Sequence, residues 1–351
     1  MGAADVGRLQ ERVEALYAIG PGPGANRIGY TPEEDEAHRL VAGWLEEAGL
    51  DVEVDPAGNL VGRLRGEQPD LPEVWSGSHL DSVPQGGRYD GPLGVLGALE
   101  AVERLGRRRR TLGVVAFRDE ERGCAGSRAL VRRGPLPGAF VELHHEQGPR
   151  LDRAAAPLAL VSGIVGYVRG ERVVEGRPGH AGTTPMEGRE DALVAAAAEI
   201  LRVRDVALSI EGAVATVGRL EVEPGGTNVI PGRVRFTVDA RAPDDGRVRE
   251  LAARLGIDGS AAVPAAAFAG PPVEAVRAAL AARGLPVLEL FSGAGHDAGV
   301  LAAAGVPAAM LFVRAGSGGI SHSPEEIAAP EDVALAVDVL ADSLGRLAAA
   351  P

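Results

Sequence analysis

Gly77-Ser78-His79-Leu80-Asp81-Ser82-Val83-Pro84-Gln85-Gly86-Gly87-Arg88-Tyr89-Asp90-Gly91 runs off the apolar start Val74-Trp75. That start reads as a strand, with His79 and Asp81 near its end. Alternate strand residues share a face, so the two point the same way. A histidine can bind a metal through one ring nitrogen while a carboxylate or carbonyl fixes the other. The Gly86-Gly87 turn brings Asp90 back, and Pro92 opens a helix at its favoured first position. Leu93, Leu96, Leu99, Val102 and Leu105 recur every third residue and predict that helix's buried face. Strand, ligand-bearing loop and packed helix make a rigid seat for an ion.

Outward from this stretch, the chain's 351 residues fit two domains. Apolar residues are 45% and aromatics only 3%, so Ala, Val and Leu must fill the cores. A formal charge of −13 argues against nucleic acid and anionic membranes as partners. The single cysteine, Cys124, excludes an intramolecular disulfide and suits a reducing cytoplasm, the expected location. The first residues carry no basic stretch followed by an apolar run, so no signal peptide is expected, and no window is long enough for a membrane span.

Helical spacing covers 5–19, and Thr31-Pro32-Glu33-Glu34 reads as an N-cap, a first-turn proline and acids facing the helix dipole. Short strands follow at 52–54 and 60–64. After Gly106, Arg107-Arg108-Arg109-Arg110 reads as a solvated loop rather than an anion site, and it leads to the strand 112–117. Strand and helix alternate, predicting an α/β layer. The 112–117 strand delivers Asp119-Glu120-Glu121, where one carboxylate can bind a metal while its neighbour handles protons. Glu142-Leu143-His144-His145-Glu146-Gln147 follows the next apolar segment.

From about Gly163 the character changes to strands around 173–174, 214–217 and 234–239 with an Ala-rich helix near 191–201, predicting an inserted α+β domain. It carries His180 and Asn228 in Gly/Pro-rich loops, and Arg241 is a candidate clamp for a carboxylate. The predicted boundaries are 1–165 with 285–351 for a discontinuous α/β metal-binding domain and 166–284 for the insert. A strand over 286–291 ends in Ser292-Gly293-Ala294-Gly295-His296-Asp297. Another over 308–313 leads to Ile320-Ser321-His322-Ser323-Pro324-Glu325-Glu326, and an amphipathic helix closes the chain at about 330–347.

If His79, Asp90, Glu121, His144 and His322 converge, they suffice for two ions sharing one carboxylate. Mixed N/O ligands suit Zn²⁺, with Mn²⁺, Co²⁺ and Ni²⁺ as alternatives. A metal pair clamps the oxygen that gains charge in hydrolysis and favours an anionic substrate. Glu120, left unligated, could move the proton from water to the leaving nitrogen. His38, inside a helix, reads as structural.

Taken together, these motifs closely resemble the M20 metallopeptidase superfamily over nearly the whole chain. More narrowly they are similar to its amidase branch, the N-carbamoyl-L-amino acid hydrolases and allantoate amidohydrolases. The resemblance implies an α/β catalytic domain with an inserted α+β lid that forms a homodimer. It implies one ion on His79 and His144, a second on Glu121 and His322, and Asp90 bridging them. Glu120 would be the general base and Asp81 the partner of His79. In the peptidase branch an acidic residue usually replaces His144, so His144 favours an amidase. From the lid, Asn228 and Arg241 would hold the substrate carboxylate and His180 would stabilise the oxyanion. Gln147 and His296 are further candidates for substrate contact. The implied reaction is cleavage of the carbamoyl C–N bond of an N-carbamoyl-L-amino acid, a small anionic substrate, giving the L-amino acid, CO₂ and ammonia. Allantoate hydrolysis, dipeptide hydrolysis and a catalytically silent binding protein are the rivals, and a Cys124 nucleophile is a separate option. Two departures from the family pattern stand out. His145 lies where an apolar residue is expected, and the segment 241–292 is short.

Overall fold

The computed structural model describes residues 5–350. Two compact units emerge, one built from residues through Gly163 and from Ala267 onward, the other from Ile164–Ala266.

The larger unit is organised on a nine-stranded mixed sheet. At its centre four parallel strands lie side by side in the order Leu112–Phe117, Val74–His79, Ala139–His145 and Ala308–Val313. Every residue in these four strands is buried, as expected where helices cover both faces of a parallel sheet. The Asp51–Val54 and Leu60–Leu64 strands extend one side antiparallel, and Leu158–Ile164 extends the other. From Val74–His79 the chain first moves to one neighbour, Leu112–Phe117, and then crosses to the other, Ala139–His145. The winding reverses at the strand that carries His79, and crevices at the carboxyl ends of such strands bind ligands.

The Pro92–Leu105 helix is buried on nearly every side, not on the single stripe its leucine spacing predicts. Its small residues explain this. A Cβ at Gly94 would overlap the Leu143 carbonyl, and one at Gly97 would crowd the Leu143 side chain, so glycine lets the helix lie directly on the strands. Gly91, at φ +82°, leaves room for the His79 ring in the same way. The Pro271–Ala281 helix, assigned from sequence to the inserted segment, packs instead against the closing helix Pro330–Ala349. The insert therefore ends at Ala266 rather than 284 as a compact unit.

In the second unit three antiparallel strands run in the order Gly166–Glu175, Arg233–Ala242, Val214–Glu223. Arg233–Ala242 alternates strictly between buried and half-buried residues. Val234, Phe236, Val238 and Ala240 point inward to meet Ala196 and Val203 of the helix Ala192–Leu208 and Leu251 of Asp245–Leu255. A short ribbon pairs Gly179–His180 with Val229–Ile230. Among the described residues no helix is long and apolar enough to cross a membrane.

Candidate active site

All four central parallel strands deliver a candidate ligand at the same edge. His79 ends one strand, Glu120 and Glu121 follow another, His144 lies at the end of the third, and the fourth leads into the His322 loop. His79 and His144 each turn one ring nitrogen to a backbone carbonyl, Nδ1 lying 3.1 Å from Asp81 O and 2.9 Å from His145 O respectively. This leaves both Nε2 atoms facing Asp90. They stand 3.8 and 3.4 Å from the same oxygen, Asp90 Oδ1. The other oxygen, Oδ2, faces His322 Nε2 at 3.2 Å, and that nitrogen is 3.5 Å from Glu121 Oε2. One carboxylate thus serves two separate donor groups.

The donor set fits divalent ions. Ligand atoms of a tetrahedral zinc stand about 3.4 Å apart, from bond lengths near 2.0–2.1 Å, and the contacts around Asp90 bracket that spacing. Two buried atoms of the set, His144 Nε2 and Glu121 Oε1, have no hydrogen-bond partner among the described residues, which ligation would remedy. His79, Asp90 and His144 form one group able to hold an ion, and Asp90, Glu121 and His322 form another. A third combination, Glu142 with His144 and His296, borrows His144. Its other members are engaged elsewhere, Glu142 accepting from Ser78 Oγ and the Ala298 N–H, and His296 Nε2 meeting Ser292 Oγ at 2.8 Å.

Burial shapes the charges. Although burial alone would lower it, the carboxylates of Glu120, Asp81 and Asp90 raise His79 well above its ordinary value. Burial pushes Glu121 up to about 7, reinforced by Asp90. Burial also raises Glu120, against the opposing effect of His79. Asp90 is held below the usual carboxylate range. Burial works against this, and the His322 hydrogen bond and the charges of His144 and His79 outweigh it. Glu120 Oε2 is 3.8 Å from His79 Nε2, so the candidate base faces the first donor group.

His145, beside His144 on the strand, turns to the opposite face. It stacks on Tyr89 and reaches the Ile327 carbonyl at 3.3 Å, so it packs rather than joining a metal group. Gln147 donates to Asp90 Oδ2 at 2.9 Å, while the fully buried His296 packs against the His144 ring at 4.4 Å between centroids. Burial raises the Cys124 thiol far above its ordinary value, and the Glu120 charge 3.6 Å away adds to the effect. A buried thiol raised in this way makes a poor nucleophile.

Two anchoring acids escape the sequence reading. Glu34, read from sequence only as an acid facing a helix dipole, is fully buried. It accepts the Tyr30 and Asp119 N–H groups and pairs with Arg118 at 2.7 Å, fixing the segment that carries Glu120. Glu326, also fully buried, accepts the N–H groups of Tyr89 and Asp90. The capping-box spacing of Thr31 and Glu34 could have flagged the first. No local signal marks the second.

In the second unit His180 Nδ1 accepts the N–H groups of Gly182 and Thr183, at 3.1 and 3.2 Å. The Asn228 carbonyl accepts the Ala181 N–H, and the residue itself is exposed. Arg241 does not present an unengaged fork, since Asp239, two residues earlier on the same strand face, takes hydrogen bonds from its Nε and Nη2 at 2.8 and 3.2 Å.

The model of peptidase family M20/M25/M40 matches residues 75–346. The chain belongs to that family. An N-carbamoyl-L-amino acid amidohydrolase of Geobacillus stearothermophilus is 36% identical over 403 aligned positions, covering 97% of this chain and 98% of the relative. That alignment is longer than the chain's 351 residues, so the relative has insertions with no counterpart here. A probable allantoate deiminase of Oryza sativa subsp. japonica is 32% identical, covering 92% and 84%. The crystal structure of an amidase of the hydantoinase/carbamoylase family from Burkholderia multivorans superposes with a TM-score of 0.89 at 33% identity, covering 99% of both chains. This M20/M25/M40 family member is a hydrolase acting on C–N bonds, and the Asp90-centred cluster is its candidate metal centre.

Proposed function

We propose that this protein is a two-metal amidohydrolase that cleaves the carbamoyl group from N-carbamoyl-L-amino acids. The net reaction takes the ureido acid and one water to the L-amino acid, CO₂ and ammonia. The observation that carries the two-metal reading is the division of the Asp90 oxygens, Oδ1 toward His79 and His144, Oδ2 toward His322, whose Nε2 also meets Glu121. In this reading His79 and His144 would hold one divalent ion and Glu121 and His322 another, with Asp90 available to both, and Zn²⁺ would be the first choice, Mn²⁺, Co²⁺ or Ni²⁺ alternatives. Such ions supply Lewis acidity, polarising a carbonyl and making water acidic. The carbamoyl substrate is favoured by the similarity to the amidohydrolase of Geobacillus stearothermophilus.

Glu120 takes the proton from the attacking water at a carboxylate oxygen and returns it to the leaving nitrogen. Its carboxylate, 3.8 Å from His79 Nε2, faces the first donor group, where that proton is handled. Asp81 orients His79. His180 supplies a hydrogen bond to the developing oxyanion. Its Nδ1 is occupied as an acceptor, so a neutral ring carries its proton on Nε2 and can donate. Arg241, its fork oriented by Asp239, and Asn228 hold the substrate carboxylate. Gln147, already bonded to Asp90, and His296, packed on His144, act on the ligands rather than as primary substrate contacts.

A homodimer formed through the second unit completes the reading. Val194, Leu201 and Leu208 recur every seven residues along one exposed stripe of the helix Ala192–Leu208, at 68, 54 and 78% exposure, an apolar face suited to a second copy.

Side-by-side kcat/KM values for N-carbamoyl-L-amino acids, allantoate and dipeptides test the substrate. The expected preference is for an N-carbamoyl-L-amino acid. A preference for allantoate would move the assignment to an allantoate amidohydrolase, and one for dipeptides would overturn the amidase reading.

A further inference from the structure

The two donor groups share Asp90, yet Asp90 and His322 lie on loops more than two hundred residues apart in the chain. One buried side chain joins them. Glu326 Oε1 accepts the N–H groups of Tyr89 and Asp90 at 2.7 and 3.1 Å, and Oε2 accepts the Ser321 hydroxyl at 2.7 Å. Its segment is fastened on two further sides, since Arg88 Nη1 donates to the Glu326 carbonyl and the His145 ring meets the Ile327 carbonyl, both at 3.3 Å. Gly87 makes the approach possible, because a Cβ there would overlap the Glu326 carboxylate. His322 itself has φ +54°, a conformation that a non-glycine residue keeps only when its surroundings impose it.

We propose that Glu326 is a positioning residue that locks the Asp90 turn to the His322 loop and so sets the spacing of the Glu121–His322 metal site. The inference rests on the two-metal reading above. Glu326 is no ligand, and it works through backbone N–H groups and a hydroxyl. The carbonyl oxygen of a glutamine can accept the same N–H groups, and its amide can donate to Ser321.

The test is Zn²⁺ titration of the ion-free full chain by equilibrium dialysis, with His322→Ala marking which binding event belongs to the second site. Glu326→Ala should weaken that site by about 10–100-fold, the usual range for residues that orient ligands, and affect the His79–His144 site far less. Glu326→Gln should restore it. Ser321→Ala, which removes one contact without emptying the core, should give a smaller loss in the same site and keeps the test decisive if Glu326→Ala fails to fold. Unchanged affinities in both alanine variants, or equal losses at both sites, overturn the proposal while leaving the two-metal reading intact. A wild-type chain that binds only one ion overturns both.

Discussion

Asp81 Oδ1 lies 3.3 Å from Nδ1 of His79, and the same carboxylate accepts the backbone N–H groups of Glu120 and Glu121 at 3.0 and 3.2 Å. Asp81 thus fixes a candidate ligand histidine and the backbone of the two acids that follow Asp119. It stays ionised because the hydrogen bond and charge of His79 and the two N–H groups outweigh its burial. Asp81→Ala should cost about 10–100-fold in affinity for the ion on His79. It should also lower kcat, because the Glu120 backbone loses its anchor. Chelator competition and steady-state kinetics on the same samples check both effects. Unchanged ion affinity would show that the Asp81 backbone carbonyl alone orients the ring.

Arg241 is tied to Asp239, so its role depends on a pair rather than a lone cation. Arg241→Lys should raise KM by about 10–100-fold, the worth of a charged hydrogen bond, with ion content unchanged. Asp239→Asn should raise KM in the same direction by freeing the fork. Equal KM values in wild type and both variants would remove Arg241 from substrate binding.

Cys124 should be dispensable. Its thiol is buried beside Glu120, and burial raises it far above its ordinary value. Cys124→Ala is expected to keep full turnover and to resist nothing that the wild type does not. Loss of activity with ions still bound would restore the thiol to the mechanism.

His38 gives the acid side of the stability curve. Burial, helped by Arg118, lowers it to about 3, so the folded state keeps it neutral while the unfolded chain protonates near 6.5. Below pH 6.5 the unfolded state binds more protons, so stability falls with pH toward 3 and is unaffected by this group above 6.5. The slope from His38 is at most about 1.4 kcal/mol per pH unit. Urea unfolding of ion-free protein at pH 7 and pH 5 should show a smaller difference in His38→Gln than in wild type. Equal differences would contradict the assignment.

The apolar stripe of the second unit should govern assembly. Leu201→Glu together with Leu208→Glu is expected to shift sedimentation from dimer to monomer. A wild-type chain that sediments as a monomer would contradict the proposed interface.

Much of the candidate metal centre was legible because its candidate ligands announce themselves locally. His79, Glu121 and His144 each follow an apolar run that had to be a buried strand, and Asp90 and His322 sit beside glycines or proline that force a turn. The parallel order that gathers these ends is a property of the whole sheet, and spacing along the chain does not encode it. Glu326 escaped for the same reason, since its partners Tyr89 and Asp90 are remote in sequence. The pairing of Arg241, a candidate clamp, with Asp239 was overlooked, although strand alternation puts residues two apart on one face. The Pro271–Ala281 helix was assigned to the insert because nothing in its own sequence says which core its apolar side meets.

Ammonia release from an N-carbamoyl-L-amino acid by wild type and Glu120→Gln, with the ions counted in the same samples, tests the account most directly. The predicted result is two ions per chain in both proteins, turnover by the wild type, and a rate lower by about 10²–10⁴-fold in the variant, the range for a general acid–base residue. Wild-type turnover by Glu120→Gln with both ions bound would contradict the mechanism.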